Sequence, residues 1–146
     1  MTANDREWLA APCGIDCGVC ELSLAGGRPE LVDILASKGI PKEKLPCKGC
    51  RNVEGQCPVI AGRCETFACA VEHRVDFCFQ CASFPCARLI PAADRADVLP
   101  HNMKVFNLCV IRKDGAASFT RASADIKRRY YQDKMAVGKG PQLPAS

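Results

Sequence analysis

A chain of 146 residues has the length of one ordinary domain, which excludes two full enzymatic domains. Lys and Arg number 20 against 16 Asp and Glu, a formal net charge of +4, and twelve cysteines make up about 8% of the chain. Without those cysteines the hydrophobic share falls from 48% to about 40%, with one Trp and six Phe, so sulfur cross-links, through disulfides or metals, are expected to hold the loops.

In chain order, the polar N-terminus, residues 1–8, lacks the apolar stretch of a secretory signal, and the chain is expected in the cytoplasm. There clustered cysteines stay reduced and serve metals more often than disulfides. Pro29, the apolar Leu31, Val32, Ile34 and Leu35, then Lys38 and Gly39 predict a short amphipathic helix packed in the core. Residues 62–74 predict a second helix with Cys64, Phe67, Ala68 and Val71 on one face. The step from Cys64 to Cys69 is then about 140° around the axis, so either the helix breaks or the two thiols serve different sites. Pro85 predicts the start of a third helix, ending near Pro91 or continuing as a turn through Ala92 to Leu99, with its first amides and positive dipole end aimed at Cys86.

Lys104 to Arg112 is rich in β-formers, and Asp114-Gly115 offers a turn before Ala117 to Thr120, which predicts a hairpin. Ser123 is placed to cap a helix running to about Met135, with Ile126 and Tyr130 inward and Lys127, Arg128 and Arg129 on a solvated face. The expected fold is a small α+β, cysteine-rich, metal-stabilised domain. Short helices surround metal sites in residues 1–100, a C-terminal β-hairpin and helix (101–137) pack on them, and 138–146 form a loose tail. No window approaches the 18 apolar residues of a membrane helix, so no span is expected.

Three segments carry the chemistry. Cys13-Gly-Ile-Asp-Cys17-Gly-Val-Cys20 brings three thiols onto one glycine-rich loop. Cys47-Lys-Gly-Cys50, Cys57 and Cys64 follow, then Cys69, Cys78, Cys81 and Cys86. A single C-x2-C pair is a weak signal; three pairs with these flanking cysteines are a strong one for metal. Cubane clusters take Cys₄, often with three ligands from one loop, and Cys57-Pro58 has the Cys-Pro form that closes bacterial ferredoxin runs. Zn²⁺ in tetrahedral thiolate sites is the alternative, although two such sites strand several of the eleven cysteines. A four-thiolate site with its ion or cluster core adds about −2, so two of them cancel the formal +4, which argues against nucleic acid as a partner. Cys109, in the expected strand, reads as a buried core thiol. His73, four residues after Cys69, could ligate but reads as a surface residue at a helix end; His101 has no cysteine nearby. With two histidines, no nucleophilic triad is legible, and the chain is not expected to be a stand-alone enzyme.

The loop at 13–20 resembles the cluster loop of radical S-adenosylmethionine enzymes, but the chain lacks the length and alternating elements of their partial barrel. A wider resemblance rests on Cys13-Gly14-x-x-Cys17-x-x-Cys20, Cys47-x-Gly49-Cys50, Cys57, Cys64 and Phe77-Cys78-x-x-Cys81-x-x-Phe84-Pro85-Cys86. These motifs resemble a family of small cysteine-rich proteins of anaerobic bacteria and archaea, a domain of unknown function, and the resemblance implies a metal protein without naming a reaction. A tryptophan and cysteine pair that closes other members is replaced here by Tyr130-Tyr131 and a Gly-Lys-Gly-Pro stretch. Together these features predict an iron-sulfur protein, [4Fe-4S] in type, carrying electrons or serving as a small accessory subunit of a larger redox enzyme. The alternative is a structural zinc module for protein or nucleic-acid contacts.

Overall fold

The computed structural model describes residues 2–89 and 103–132, and the backbone alone of 135–136 and 140–141. Helix α1 (Ala3–Trp8) starts at a capping box in which the Asp5 amide donates to the Thr2 hydroxyl and the Thr2 amide donates back to the Asp5 carboxylate. A 3₁₀ turn at Cys17–Val19 leads into α2 (Glu21–Leu24), then a second such turn (Ala25–Gly27) and α3 (Pro29–Ser37). The long loop 45–63 runs into α4 (Glu65–Glu72), and a further 3₁₀ turn covers Cys78–Gln80. Two helices close the described core, α5 (Lys104–Asp114) and α6 (Ala116–Gln132). A two-residue antiparallel pair, β1 (Met135–Ala136) on β2 (Gly140–Pro141), is the one ladder among the described residues.

The expected hairpin and the α+β class are therefore overturned: the described structure is helical. Across 104–111 the buried positions are Lys104, Asn107, Leu108 and Ile111, spaced i, i+3, i+4, i+7, so burial on a helical period overrides the β-propensity of Val105, Phe106 and Val110. Gly115, at φ +82°, does not turn a hairpin; it caps α5, donating its amide to the Ile111 carbonyl before α6 begins. Ser123 is not a cap either. It lies buried in mid-α6 and donates its hydroxyl to the Asp16 carboxylate.

The other expected helices fare unevenly. Pro29 does open α3 and Gly39 follows its end at φ +89°, yet no α3 residue is buried and Ile34 is 50% exposed, because the helix rests on α2 and the Ala25–Gly27 turn at the margin of the fold. In α4 the buried positions are Thr66, Phe67 and Ala70, while Val71 is exposed. Pro85 opens no helix: it follows a cis peptide bond, and Cys86 to Leu89 form a hydrogen-bonded turn. The continuation expected through residues 90–99 lies outside the described residues, as do His101 and most of the tail expected at 138–146.

The core gathers where the C-terminal helices meet the cysteine-bearing loops. Ala10, Ile111 and Phe119 are buried together, with Phe77, Phe79, Val110 and Ala116 packed against them. Phe119 is 1% exposed, and its ring is the largest fully buried side chain among the described residues. Phe119→Ala should cost about 3–5 kcal/mol, read as a fall in the urea midpoint with an unchanged slope.

Candidate metal centre

The Cys13–Cys20 loop is held by charge. Asp16 caps the 3₁₀ turn by accepting the Gly18 amide at 2.8 Å, and its carboxylate, 4% exposed as a residue, takes both arms of the Arg6 guanidinium at 2.8 and 2.5 Å. Gly18 makes the approach possible, since a Cβ there would lie 2.6 Å from the Arg6 guanidinium nitrogen. Ser123 of α6 donates to Oδ2 of the same carboxylate, the oxygen that also takes Arg6 Nη2, and Lys127 of α6 donates to the Val19 carbonyl and the Glu21 carboxylate. Lys127 is thus committed to the loop, and Arg128 and Arg129 pair with Asp125, so the expected solvated basic face is largely occupied.

Around this loop stand seven cysteines: Cys13, Cys17, Cys20, Cys47, Cys50, Cys57 and Cys64. The Cys47–Cys50 segment packs on it through Gly49 at φ +96°, where a Cβ would meet the Leu9 side chain at 2.8 Å and the Cys17 Cβ at 3.6 Å. Backbone amides aim at three of the sulfurs: Cys50 N–H donates to Cys17 Sγ at 3.3 Å, Leu22 N–H to Cys20 and Val59 N–H to Cys57. Burial pushes the Cys17 thiol up to about 12 against the pull of the Cys50 amide, with Cys13, Cys20 and Cys47 adding to the rise. Cys50 is raised by burial and then by Cys13, Cys17, Cys64 and Cys57; Cys20 and Cys57 are raised chiefly by burial. Thiols crowded this closely cannot ionise together unless a cation joins them.

The remaining four cysteines of the motif set lie elsewhere. Cys69, Cys78, Cys81 and Cys86 all line one open-mouthed cavity, with Thr66 and His73 also on its wall. Burial pushes Cys78 up to about 12, followed by the effects of Cys13, Cys86, Cys69 and Cys81. Helix α4 separates the two groups: Cys64 precedes its first turn and acts on Cys50 and Cys57, whereas Cys69 faces the cavity. The helix expected over 62–74 begins only at Glu65, so Cys64 stands outside it and the 140° helical step from Cys64 to Cys69 is not realised. Cys13 lies between the groups, and the Cys78 amide donates to the Pro12 carbonyl at 2.9 Å.

No two cysteines are joined by a disulfide. Among the described residues no three Cys, His, Asp or Glu side chains converge closely enough, as they stand, to hold an ion. Cys109 is exposed on α5, because the helix turns it away from the Leu108 and Ile111 face, and is not the buried thiol expected of a strand. His73 ends α4 as expected, exposed, with Nδ1 at 2.8 Å from the Cys69 carbonyl and 3.6 Å from its sulfur. Sequence reasoning missed the cations that attend the thiols. Arg51 lies over the rings of Trp8 and Phe77 and near Cys50, Cys13 and Cys17, while Arg88 reaches Glu65 beside Cys69 and Cys86. Lone arginines in loops gave no periodic or motif signal. Asp16, inside the first cysteine motif, could have been read as a turn cap from its position before Cys17-Gly18.

The model of a protein family of unknown function, DUF3795, matches residues 9–91. No curated protein and no solved structure matches the chain.

Removing the Asp16 carboxylate leaves a half-buried guanidinium without its anion and Ser123 with the Thr120 carbonyl as its remaining acceptor. Asp16→Ala should therefore cost about 3 kcal/mol in urea unfolding, while Glu30→Ala, which breaks an exposed pair with Arg28, should stay within about 0.5 kcal/mol.

Proposed function

Because the chain belongs to the DUF3795 family, and the matched residues 9–91 span Cys13 through Cys86 but not Cys109, we propose that it is a cytoplasmic metal-thiolate protein. Its cofactors are iron-sulfur clusters, [4Fe-4S] in type, and its task is electron transfer, as a carrier or as a small accessory subunit of a larger redox enzyme. The observation that supports this most is the gathering of thiols around amide donors on Cys17, Cys20 and Cys57, since hydrogen bonds to sulfur stabilise the thiolates that bind clusters and tune their potential. Burial would otherwise hold these thiols protonated, and a cluster or ion supplies the missing positive charge. Metal binding would then draw the side chains together, as folding and loading are coupled in small thiolate domains. The reading assigns no catalytic residue and places the partner among redox proteins. Nucleic acid is disfavoured because Lys127, Arg128 and Arg129 are already paired within the fold.

The test is iron, zinc and acid-labile sulfide per chain on protein purified without oxygen. About four iron and four sulfide per centre are expected. Zinc without sulfide would replace the cluster reading by a structural zinc module, and protein free of both metals would overturn the proposal. Cys81→Ser should lower metal content and melting temperature together, whereas Cys109→Ser, at an exposed helical position outside both groups, should change neither.

A further inference from the structure

The geometry points to a second, self-contained centre: Cys69, Cys78, Cys81 and Cys86 form one four-thiolate site that loads and unloads independently of the seven-cysteine group. This rests on the metal-thiolate reading above and divides its ligands between two places. Three observations carry it. First, all four cysteines line the same cavity, and no other cysteine is on its wall. Second, Cys64 stands at the cap before α4, outside the helix, and its amide donates to the Gly55 carbonyl of the loop between Cys50 and Cys57, whereas Cys69 lies inside the helix and lines the cavity. Third, the wall includes Thr66, which is 2% exposed and whose hydroxyl has no hydrogen-bond partner among the described residues. A buried hydroxyl left unpaired costs free energy unless something in the cavity accepts from it, and a metal-bound thiolate is such an acceptor.

The ligand class is a thiophilic centre that four thiolates complete: one tetrahedral divalent ion or one cubane. The two groups differ in access. Cys86 is exposed and the cavity is open at its mouth, so an incoming thiol or chelator can reach this centre. In the other group Cys64 is buried, no cysteine is exposed, and three sulfurs accept backbone amides. The cavity centre is accordingly the one that exchanges with solution or with a partner's ligands, while the seven-cysteine centre is retained.

Full-length protein purified without oxygen is mixed with excess EDTA and the release of metal is followed in time, with sulfide assayed before and after. Two phases are expected, a fast one that disappears in Cys69→Ser and in Cys86→Ser and a slow one that both variants keep. Cys64→Ser is expected to keep the fast phase. Loss of sulfide with the fast phase identifies a cubane in the cavity, and release without sulfide identifies a single ion; either supports the site. A single phase in the parent protein, or equal loss of both phases in Cys69→Ser and Cys64→Ser, overturns the division into two centres while leaving metal binding intact. Parent protein with no bound metal overturns both readings. Because Cys86 is exposed, its serine variant tests the site without disturbing buried packing.

Discussion

Everything in this fold answers to the difficulty of placing eleven thiols close together. Each sulfur that leaves water resists ionisation, and each ionised neighbour adds to the resistance, as the raised Cys17, Cys50 and Cys78 thiols show. The chain meets this with local positive charge of several kinds. Amides point at Cys17, Cys20 and Cys57, and Arg51, Arg88 and Lys127 lie within electrostatic reach of the cysteine loops. None of these is itself a ligand, and each is fixed by something other than sulfur: Arg51 by two rings and two carbonyls, Arg88 by Glu65, Lys127 by Glu21 and the Val19 carbonyl. Their positions therefore do not depend on whether a metal is bound.

The cysteine motifs are legible because their spacing is a local property: Cys17 with Cys20 and Cys78 with Cys81 stand on tight 3₁₀ turns whose form follows from two intervening residues, and Cys47 with Cys50 spans an extended stretch bent at Gly49. Which cysteines share a place was not legible, because it depends on the side of α4 that each loop approaches. The 140° step between Cys64 and Cys69 presumes a helix through both, whereas α4 begins at Glu65, and it is the tertiary path of residues 75–89 that brings Cys78, Cys81 and Cys86 to the cavity beside Cys69.

The C-terminal third was misread for a different reason. Val105, Phe106, Val110 and Ile111 favour strand locally, and Asp114-Gly115 resembles a hairpin turn. The deciding fact is that Asn107 reaches the Gly14 carbonyl at 2.9 Å while the Lys104 carbonyl and the Leu108 side chain crowd the same glycine, contacts spaced i, i+3, i+4 as a helix places them. Ser123 was singled out correctly as a special polar residue and given the wrong task. Its partner is Asp16, more than a hundred positions earlier, and no local rule connects them.

That bond has a consequence for how the protein is made. Asp16 and Ser123 are separated by 107 positions, so the carboxylate that braces the first cysteine loop leaves the ribosome long before the hydroxyl that seals it. At about 5–20 residues per second the delay is on the order of 5–20 s. For that interval the nascent chain presents its three leading thiols without the clamp of α6. The seven-cysteine group thus reaches its closed form only once α6 has been made, and the sealing of its first loop is timed by synthesis of a helix 107 positions further along the polypeptide.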